Sequence, residues 1–572
     1  MAVVSNAARS PRAFDLSAVM DFAAGSHLRA VAFLIAFGLL AYLPGVFQIP
    51  PVDRDEARFA QATRQMIDTG DYVDIRFQEE SRYKKPVGIY WLQAGVVKLA
   101  EAASIPRARM RIGFYRVPSL IGAMGAVLLT YWTSLAFVSR RAAVLAATML
   151  AASILIGVEA RLAKTDAVLL LCCVAAMGAL GRAYLGAAAG RHKPASPWLI
   201  PMVFWTAIAA GVLVKGPLIL MFVALTVAAL AAVDRSAMWL WRLKPGVGIA
   251  WFIVLVLPWF IAILARSGWN FFSESVGHDL LEKVGRAQES HGAPPGTYFV
   301  LFWLTFFPGS ILAGLATPAI WNVRREKGAK FLLSWTLPSW VVFEAVATKL
   351  PHYVLPLYPA IAILIAGVVD HHGLSRAPWL QRGTVWWFLI AAVLAAAMIA
   401  CYVTFGKEPG FLAWPFAAVG VIFALRAWWL YGVDGAEHAL MRAAAASILL
   451  MIGMFAATIP RLPALFPSTQ VARYVRAANC GVPQVAAAGY EEPSLIFLTG
   501  GSVRSTDGSG AADFLNPGGC RFALVEGRQE RAFVDRGEAI GLRYARGPRI
   551  EGINISTGRR VSLAIFRAER AP

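Results

Sequence analysis

Apolar runs of about twenty residues recur along most of this chain, and each is long enough to cross the hydrocarbon core of a bilayer. The first is Val31–Ile49. With 58% hydrophobic residues and a mean hydropathy of +0.58, the composition excludes an ordinary water-soluble globular protein. We count about thirteen such runs by length, beginning near Val31, Phe114, Ala143, Ala167, Trp198, Pro217, Ile249, Tyr298, Phe331, Val354, Val385, Leu412 and Ala443. The predicted fold class is therefore a polytopic all-α membrane protein.

The loops between these runs alternate in charge. One set is short and basic, for example "SRR" at 139, "GRHK" at 190 and "RREKGAK" at 324. The positive-inside rule places that set, together with the N-terminus, in the cytoplasm, and a formal net charge of +20 agrees with this. The other set of loops holds the clusters of ionisable residues. Functional side chains are therefore predicted to converge on the outer side of the membrane. A nucleic-acid partner is not expected, because the chain has no basic helix or aromatic-interleaved basic groove.

The pattern changes after about residue 460. Short β-type runs such as "QVAAAGY", "CRFALVEG" and "RRVSLAIFRAE" follow one another, separated by Gly, Pro and Asp turns. We predict a transmembrane catalytic domain over residues 1–460 and a small soluble α/β domain over 461–572, on the periplasmic side. In that oxidising compartment Cys480 and Cys520 would form a disulfide; two buried free thiols are the alternative.

The first outer loop, residues 50–112, opens with "PPVDRDEARFAQ". Asp53 and Glu56 have the spacing of a capping box, in which each side chain satisfies a free N–H at the start of a helix. This assignment leaves Asp55, which lies beside Arg58 at the membrane edge. Asp55 is either a partner of the helix dipole or a functional carboxylate. Asp53 and Glu56 are expected to tolerate substitution better than Asp55.

Cations are concentrated later in the same loop, in "EESRYKKPVGIYW". Arg82, Tyr83, Lys84 and Lys85 lie just before a helix that Pro86 should begin. They would either anchor the chain on anionic lipid or form a clamp for a phosphate group.

The other outer turns carry isolated ionisable residues. Asp166, Lys215 and Lys349 each lie at the end of an apolar run, and Tyr353 follows Lys349 closely. Ionisable groups at membrane depth are costly and point to function. Lysines at several outer turns, with two aspartates among them, indicate a site that holds phosphate.

A second outer loop, residues 266–296, is also polar. His278 could bind a divalent metal together with an acidic residue from another loop, but the pattern favours ordinary solvated loop polarity. No cofactor is required, and a divalent metal remains open. The chain has no Walker loop and no G-x-G-x-x-G in strand–helix context, so a lipid-linked phosphate donor fits better than a nucleotide.

Taken together, these motifs resemble the C-type superfamily of membrane glycosyltransferases, which take sugars from polyprenyl-phosphate carriers. "DEARF", "GDYVDIRFQEESRYKKPVGIYW", "KTDAVLL", "VKGPL" and "TKLPHYVLPLYP" carry the resemblance over roughly the first two thirds of the chain. Within it, the chain is most similar to the bacterial aminoarabinose transferases that modify lipid A. The resemblance implies catalytic carboxylates at Asp55 and Asp166. It implies further residues around the carrier phosphate or lining the site: Arg58, Tyr83, Lys85, Lys215, Lys349 and Tyr353. Lys84 stands where the family often has an acid, so its place in a phosphate clamp is a prediction for this chain.

The resemblance also implies a function. A monomer in the bacterial inner membrane would move 4-amino-4-deoxy-L-arabinose from undecaprenyl phosphate to a lipid A phosphate by inverting transfer, lowering negative surface charge and giving resistance to polymyxin. Two alternatives stay open: a related transferase acting on protein or another glycan, and a lipid or sugar-lipid transporter. Transporters place ionisable groups at the midplane between repeated halves, whereas here they lie at outer ends of the runs.

Overall fold

The computed structural model describes residues 16–52, 54–186, 196–275, 277, 292–406, 410–500 and 502–569. Helices dominate up to residue 452. In chain order they are Leu16–Gly25, His27–Tyr42, Arg54–Thr69, Gly88–Ala102, Ile112–Ser134, Arg140–Ala152, Ile154–Glu159, Asp166–Leu185, Leu199–Lys215, Leu218–Asp234, Pro245–Ser267, Asn270–Phe272, Thr297–Thr305, Gly309–Asn322, Lys327–Ala345, Tyr358–Asp370, Pro378–Arg382, Trp386–Phe405, Trp414–Trp429 and Tyr431–Ile452.

Within the described residues, six helical segments are long and apolar enough to cross a membrane, and a seventh is reached if Thr297–Thr305 and Gly309–Asn322, bent by 119°, count as one span. The six are Ile112–Ser134, Asp166–Leu185, Pro245–Ser267, Pro351–Asp370, Pro378–Phe405 and Tyr431–Arg461. Four shorter apolar helices accompany them: His27–Tyr42, Leu199–Lys215, Leu218–Asp234 and Trp414–Trp429. The helical membrane fold is confirmed, whereas the count of thirteen spans is not.

The spans differ in how far they are enclosed by the rest of the protein. In Asp166–Leu185, 89% of the most apolar window is buried, against 22% in Pro245–Ser267. The enclosed helix runs through a core rich in alanine, including the fully buried Ala143, Ala147 and Ala176. Small side chains let helix backbones approach closely. Asp166 therefore begins the most enclosed of these spans.

The C-terminal domain is built on a five-stranded sheet with the strand order β4-β3-β5-β7-β6. Its strands are β3 (Gln484–Ala488), β4 (Val503–Thr506), β5 (Arg521–Glu526), β6 (Tyr544–Asn554) and β7 (Arg559–Ala568). β3 pairs in parallel with β4 and β5, whereas β7 pairs antiparallel with β5 and β6. Its helices are Pro467–Ala477, Pro493–Thr499, Gly508–Leu515 and Glu530–Ala539.

Alternate residues of the central strand β5 enter two separate apolar cores. Phe522 and Leu524 belong to one core, and Ala523 and Val525 belong to the other. This is the period-two pattern of a sheet covered on both faces. Cys480 and Cys520 form a disulfide at one end of the sheet, with a Cα–Cα distance of 5.5 Å.

A two-stranded hairpin of the first outer loop, β1 (Arg76–Phe77) and β2 (Glu80–Ser81), lies between the Asp55 helix (Arg54–Thr69) and the C-terminal domain. Gln65 of the helix exchanges two hydrogen bonds with the backbone of Gln78, at 2.7 and 2.9 Å. The Gln78 side chain donates to the carbonyl of Val503 at 3.0 Å. The hairpin thus links the Asp55 helix to strand β4.

A second contact joins the same helix to the C-terminal domain. Arg64 donates to the carbonyl oxygens of Gly500 and Phe497, at 2.7 and 3.4 Å. These carbonyls lie at the C-terminal end of helix Pro493–Thr499, where a cation is favoured by the helix dipole. The C-terminal domain is consequently docked directly on the helix that carries Asp55.

Candidate active site

Asp55 lies in the first turn of its helix, and its side chain is 52% exposed. Its Oδ1 is 3.7 Å from a guanidinium nitrogen of Arg58 and 3.9 Å from one of Arg82. The Arg82 guanidinium is almost fully buried and stacks 5.1 Å from the ring centroid of Phe59. Asp55 is thus an accessible carboxylate beside two positively charged side chains.

Glu56, its neighbour, is fully buried. Its carboxylate accepts two bonds from the guanidinium of Arg116, at 2.7 and 2.8 Å. It also accepts the backbone N–H groups of Val52 at 3.0 Å and Ala163 at 2.8 Å. The expectation that Glu56 is a simple helix cap is therefore wrong: it joins three chain segments. Asp53, the other half of the predicted capping box, lies outside the described residues.

Three outer turns meet at Asp166. Lys215 donates to its carboxylate, and His352 Nε2 is 3.6 Å from the same Asp166 Oδ1. The other imidazole nitrogen of His352 is 3.5 Å from Glu159, which is itself 3.9 Å from the ammonium of Lys164. All five side chains are buried or nearly so. The side chains of these three turns are therefore in direct contact.

Local backbone geometry explains why Asp166 and Lys215 meet. Asp166 is the first residue of its helix, where the dipole favours a carboxylate. Lys215 is the last residue of the neighbouring helix, which ends because Gly216 has φ +70°, a conformation that side chains disfavour. Opposite helix ends thus bring opposite charges together on one side of the bundle.

Ala163 connects this cluster to the Asp55 helix. Its N–H donates to Glu56, and its carbonyl accepts from Gln93 Nε2 at 3.2 Å. The amide oxygen of Gln93 in turn accepts from Thr63 Oγ1 at 2.7 Å. Glu56 and Thr63 both lie on the Asp55 helix. The turn that precedes Asp166 is therefore bonded to that helix directly through Glu56, and indirectly through Gln93 and Thr63. The positions of the two predicted carboxylates are therefore coupled.

Tyr83 is buried, and its hydroxyl donates to Asp74 at 2.8 Å. Burial, with the nearby carboxylate of Asp74, raises the pKa of Tyr83 above its ordinary value. The phenol therefore stays protonated and acts as a hydrogen-bond donor. Lys84 and Lys85, which follow it, are half-buried.

The resemblance places Lys349 around the carrier phosphate, but in the structure its ammonium group is bonded to the end of a helix. Its ammonium donates to the carbonyls of Phe343, Glu344 and Val346, at 3.3, 2.8 and 2.6 Å. These carbonyls close the C-terminal end of helix Lys327–Ala345, so the side chain acts as a cap. Tyr353 does lie at the cluster: the Lys215 ammonium is 5.6 Å from its ring centroid.

The predicted metal ligand His278 lies outside the described residues. Among the described residues, Glu159, Asp166 and His352 each offer a ligand atom within 4.8 Å of the others. Two carboxylates and an imidazole suit a divalent ion. However, the ammonium groups of Lys164 and Lys215 already balance both carboxylates. A metal would have to displace a lysine, so the fit is poor.

Sequence reasoning left several residues of this region without a role. Glu159, Lys164 and His352 stand within a few residues of predicted site positions, and this proximity was the available signal. Arg82 belongs to the basic group predicted to anchor on lipid or clamp a phosphate, but nothing in the sequence indicates its contact with Asp55. Arg116 lies near the start of an apolar span, where a buried cation should have indicated a buried partner.

Comparison with known proteins shows which sequences and folds this chain resembles. The family described as dolichyl-phosphate-mannose-protein mannosyltransferase matches residues 32–268. An undecaprenyl phosphate-α-4-amino-4-deoxy-L-arabinose arabinosyl transferase from Edwardsiella ictaluri is 26% identical, covering 80% of this chain and 83% of the relative. Its namesake from Pseudomonas aeruginosa (strain UCBPP-PA14) is 28% identical and covers 75% of each chain. For the one from Erwinia tasmaniensis, 27% identical, the match spans 56% of this chain and 55% of the relative.

Among solved structures, ArnT from Cupriavidus metallidurans bound to undecaprenyl phosphate superposes with a TM-score of 0.71 at 17% identity, covering 94% of this chain and 98% of ArnT. This chain has the ArnT fold. The apo form of the same protein gives the same TM-score. The predicted resemblance to the C-type glycosyltransferases, and to the aminoarabinose transferases among them, is therefore confirmed. The chain is an integral membrane protein of that fold.

Proposed function

We propose that this chain transfers 4-amino-4-deoxy-L-arabinose from undecaprenyl phosphate to a phosphate of lipid A, on the periplasmic side of the inner membrane. The observation that carries the proposal is the pair of coupled carboxylates. Asp55 is exposed beside Arg58 and Arg82, and Asp166 is held by Lys215. The sequence similarity to transferases of that name supports the donor and the sugar.

In the proposed topology the N-terminus is cytoplasmic, thirteen spans cross the membrane and the C-terminal domain is periplasmic. The basic loops support this orientation. The disulfide supports it too, because such bonds persist in the periplasm and are rare in the cytoplasm.

The reaction we propose is a single displacement with inversion. An acceptor oxygen attacks the anomeric carbon as the bond to the carrier phosphate breaks, and negative charge grows on that phosphate. Arg58, Lys84 and Lys85 of the first outer loop would stabilise the departing phosphate. Fixed cations in a partly dry site need no reorganisation during the reaction, and this preorganisation is a large catalytic term.

The chemistry of the acceptor decides what Asp55 does. A phosphate monoester has a second pKa of about 6 and is already anionic at neutral pH. Asp55, which lies beside two guanidinium groups, would then position the sugar and pair with its ammonium group. A hydroxyl acceptor would instead require a general base, a contribution of about 10²- to 10⁴-fold.

Purified protein in nanodiscs, supplied with undecaprenyl-phosphate aminoarabinose and lipid A, tests the proposal. We expect mass spectrometry to find pentosamine on lipid A, and Asp166→Asn to abolish it. Because lysines already balance the carboxylates of the Asp166 cluster, activity should survive chelation of divalent ions. Transfer of a different carrier-linked sugar, with none to lipid A, would favour a transferase acting on protein or another glycan. Movement of the donor across the bilayer without any transfer would favour a transporter.

A further inference from the structure

A groove of about 490 Å³ separates the hairpin β1–β2 from the edge of the C-terminal sheet. Glu79 and Glu80 line it from the hairpin, and Gln484 and Arg504 line it from strands β3 and β4. The phenyl rings of Phe77 and Phe514 add apolar surface. The described membrane helices do not line this groove, so its walls come entirely from the two outer segments.

The mixture of groups indicates the class of ligand. A sugar ring carries hydroxyl groups at its edge and C–H groups on its faces, so it needs polar groups and flat apolar surfaces side by side. Carboxylates accept hydrogen bonds, a guanidinium donates them, and an amide does both. A lipid tail, which is apolar throughout, would make no favourable contacts with these polar groups. The volume lies in the range of about 300–1,000 Å³ that small-molecule sites occupy.

The position of the groove relates it to the reaction. Glu80 stands two residues before Arg82, and an extended chain advances about 3.3 Å per residue. The Arg82 guanidinium in turn lies 3.9 Å from Asp55. The hairpin tip in the groove wall is bonded to Gln65, ten residues and about 15 Å along the helix from Asp55, so the acceptor headgroup must extend that far from the groove to the reaction site.

The walls of the groove are held in place. β4 is an edge strand of the sheet, and its Val503 carbonyl accepts from Gln78 at the hairpin tip. The same Gln78 is bonded through its backbone to Gln65 of the Asp55 helix. The groove and the Asp55 helix thus share one rigid support.

We propose that this groove binds the sugar headgroup of the acceptor glycolipid, and that the C-terminal domain serves to recognise the acceptor. The inference rests on the proposed function for the identity of the acceptor. It makes the two halves of the protein complementary: the membrane part binds the lipid-linked donor, and the C-terminal domain selects the molecule that receives the sugar.

The test uses full-length protein in nanodiscs and the double variant Glu80→Gln/Arg504→Gln, with Arg531→Gln as control. Arg531 is 94% exposed on helix Glu530–Ala539 and does not line the groove. Thermal unfolding of each variant should match that of the wild type, since the substituted residues are exposed. Initial rates are measured against lipid A at saturating donor, and against donor at saturating lipid A.

We expect the KM for lipid A to rise about tenfold in the double variant, because each lost polar contact contributes modestly. The kcat, the KM for donor and the control variant should be unchanged. An unchanged KM for lipid A, or an equal rise in both KM values, overturns the groove proposal.

Direct binding separates this proposal from the proposed function. The probe is lipid A stripped of its acyl chains, with inorganic phosphate and the unphosphorylated disaccharide as competitors. Weaker binding of the probe to the double variant supports the groove proposal even if no sugar transfer is found. The absence of transfer would contradict only the proposed function. Equal binding, or competition by phosphate only, overturns the groove.

Discussion

Glu56→Ala provides the sharpest test of how this site is held together. The Glu56 carboxylate is fully buried and accepts four hydrogen bonds, two of them from Arg116. Removing it leaves a buried guanidinium without its counter-charge. Such a change costs about 3–5 kcal/mol when one partner of a buried pair is lost. The N–H groups of Val52 and Ala163 lose their acceptor as well, at about 1–3 kcal/mol for each group that water cannot reach.

The remaining bonds of Arg116 limit the loss. Its guanidinium also donates to the carbonyls of Val46, Ile49 and Pro50, at 2.9, 2.7 and 3.0 Å. These bonds keep its N–H groups partly satisfied without neutralising its charge. We therefore expect a net destabilisation of at least about 3–5 kcal/mol, the value for the ion pair alone. Glu56→Gln, which keeps one acceptor oxygen, should lose less.

The assay compares Glu56→Ala with Asp55→Asn, one residue away. Thermal unfolding in detergent should occur at a clearly lower temperature for Glu56→Ala and at the wild-type temperature for Asp55→Asn, because Asp55 is half exposed and its ion pairs are long. Transfer activity should fall in both variants. Wild-type stability of Glu56→Ala would refute the reasoning that this ion pair holds the Asp55 helix to the Asp166 turn.

Other expectations follow from the same structure. Lys215→Met should cost about 3–5 kcal/mol and abolish transfer, whereas Lys215→Arg should restore part of both; equal activity of the two variants would contradict a role for the charge. Reduction of Cys480–Cys520, which closes a loop of 40 residues, should lower the unfolding free energy of the C-terminal domain by about 4 kcal/mol, and an unchanged denaturation midpoint would argue against this. Arg64→Ala should speed proteolysis between residues 461 and 466, just after the last span, by loosening the docked domain, with unaltered cleavage as the contrary result. Tyr83→Phe should cost about 1 kcal/mol without altering the pH–rate profile below pH 9, because burial keeps the phenol protonated; a profile that shifts would show the phenol titrating.

Sequence patterns alone determined the class of the protein and the general location of its site. Apolar runs of membrane length predict spanning helices from local sequence alone, because every backbone group in lipid must be bonded within the helix. Charge bias in the loops then predicted which turns would meet, and Asp166, Lys215 and Tyr353 do lie together. The period-two runs of the C-terminal region predicted the sheet, because successive side chains of a strand point to opposite faces.

Only the tertiary structure decided which ionisable residue has which partner. Lys349 had the same sequence context as Lys215, a lone lysine at the end of an apolar run, yet it caps a helix while Lys215 pairs with Asp166. Glu56 matched a helix cap and proved to be the partner of Arg116, sixty positions further along the chain. A capping pattern is read from neighbouring residues, whereas a buried ion pair depends on which distant helices pack together. The free energy of such a pair comes from that packing, because burial removes the water that would otherwise solvate both charges.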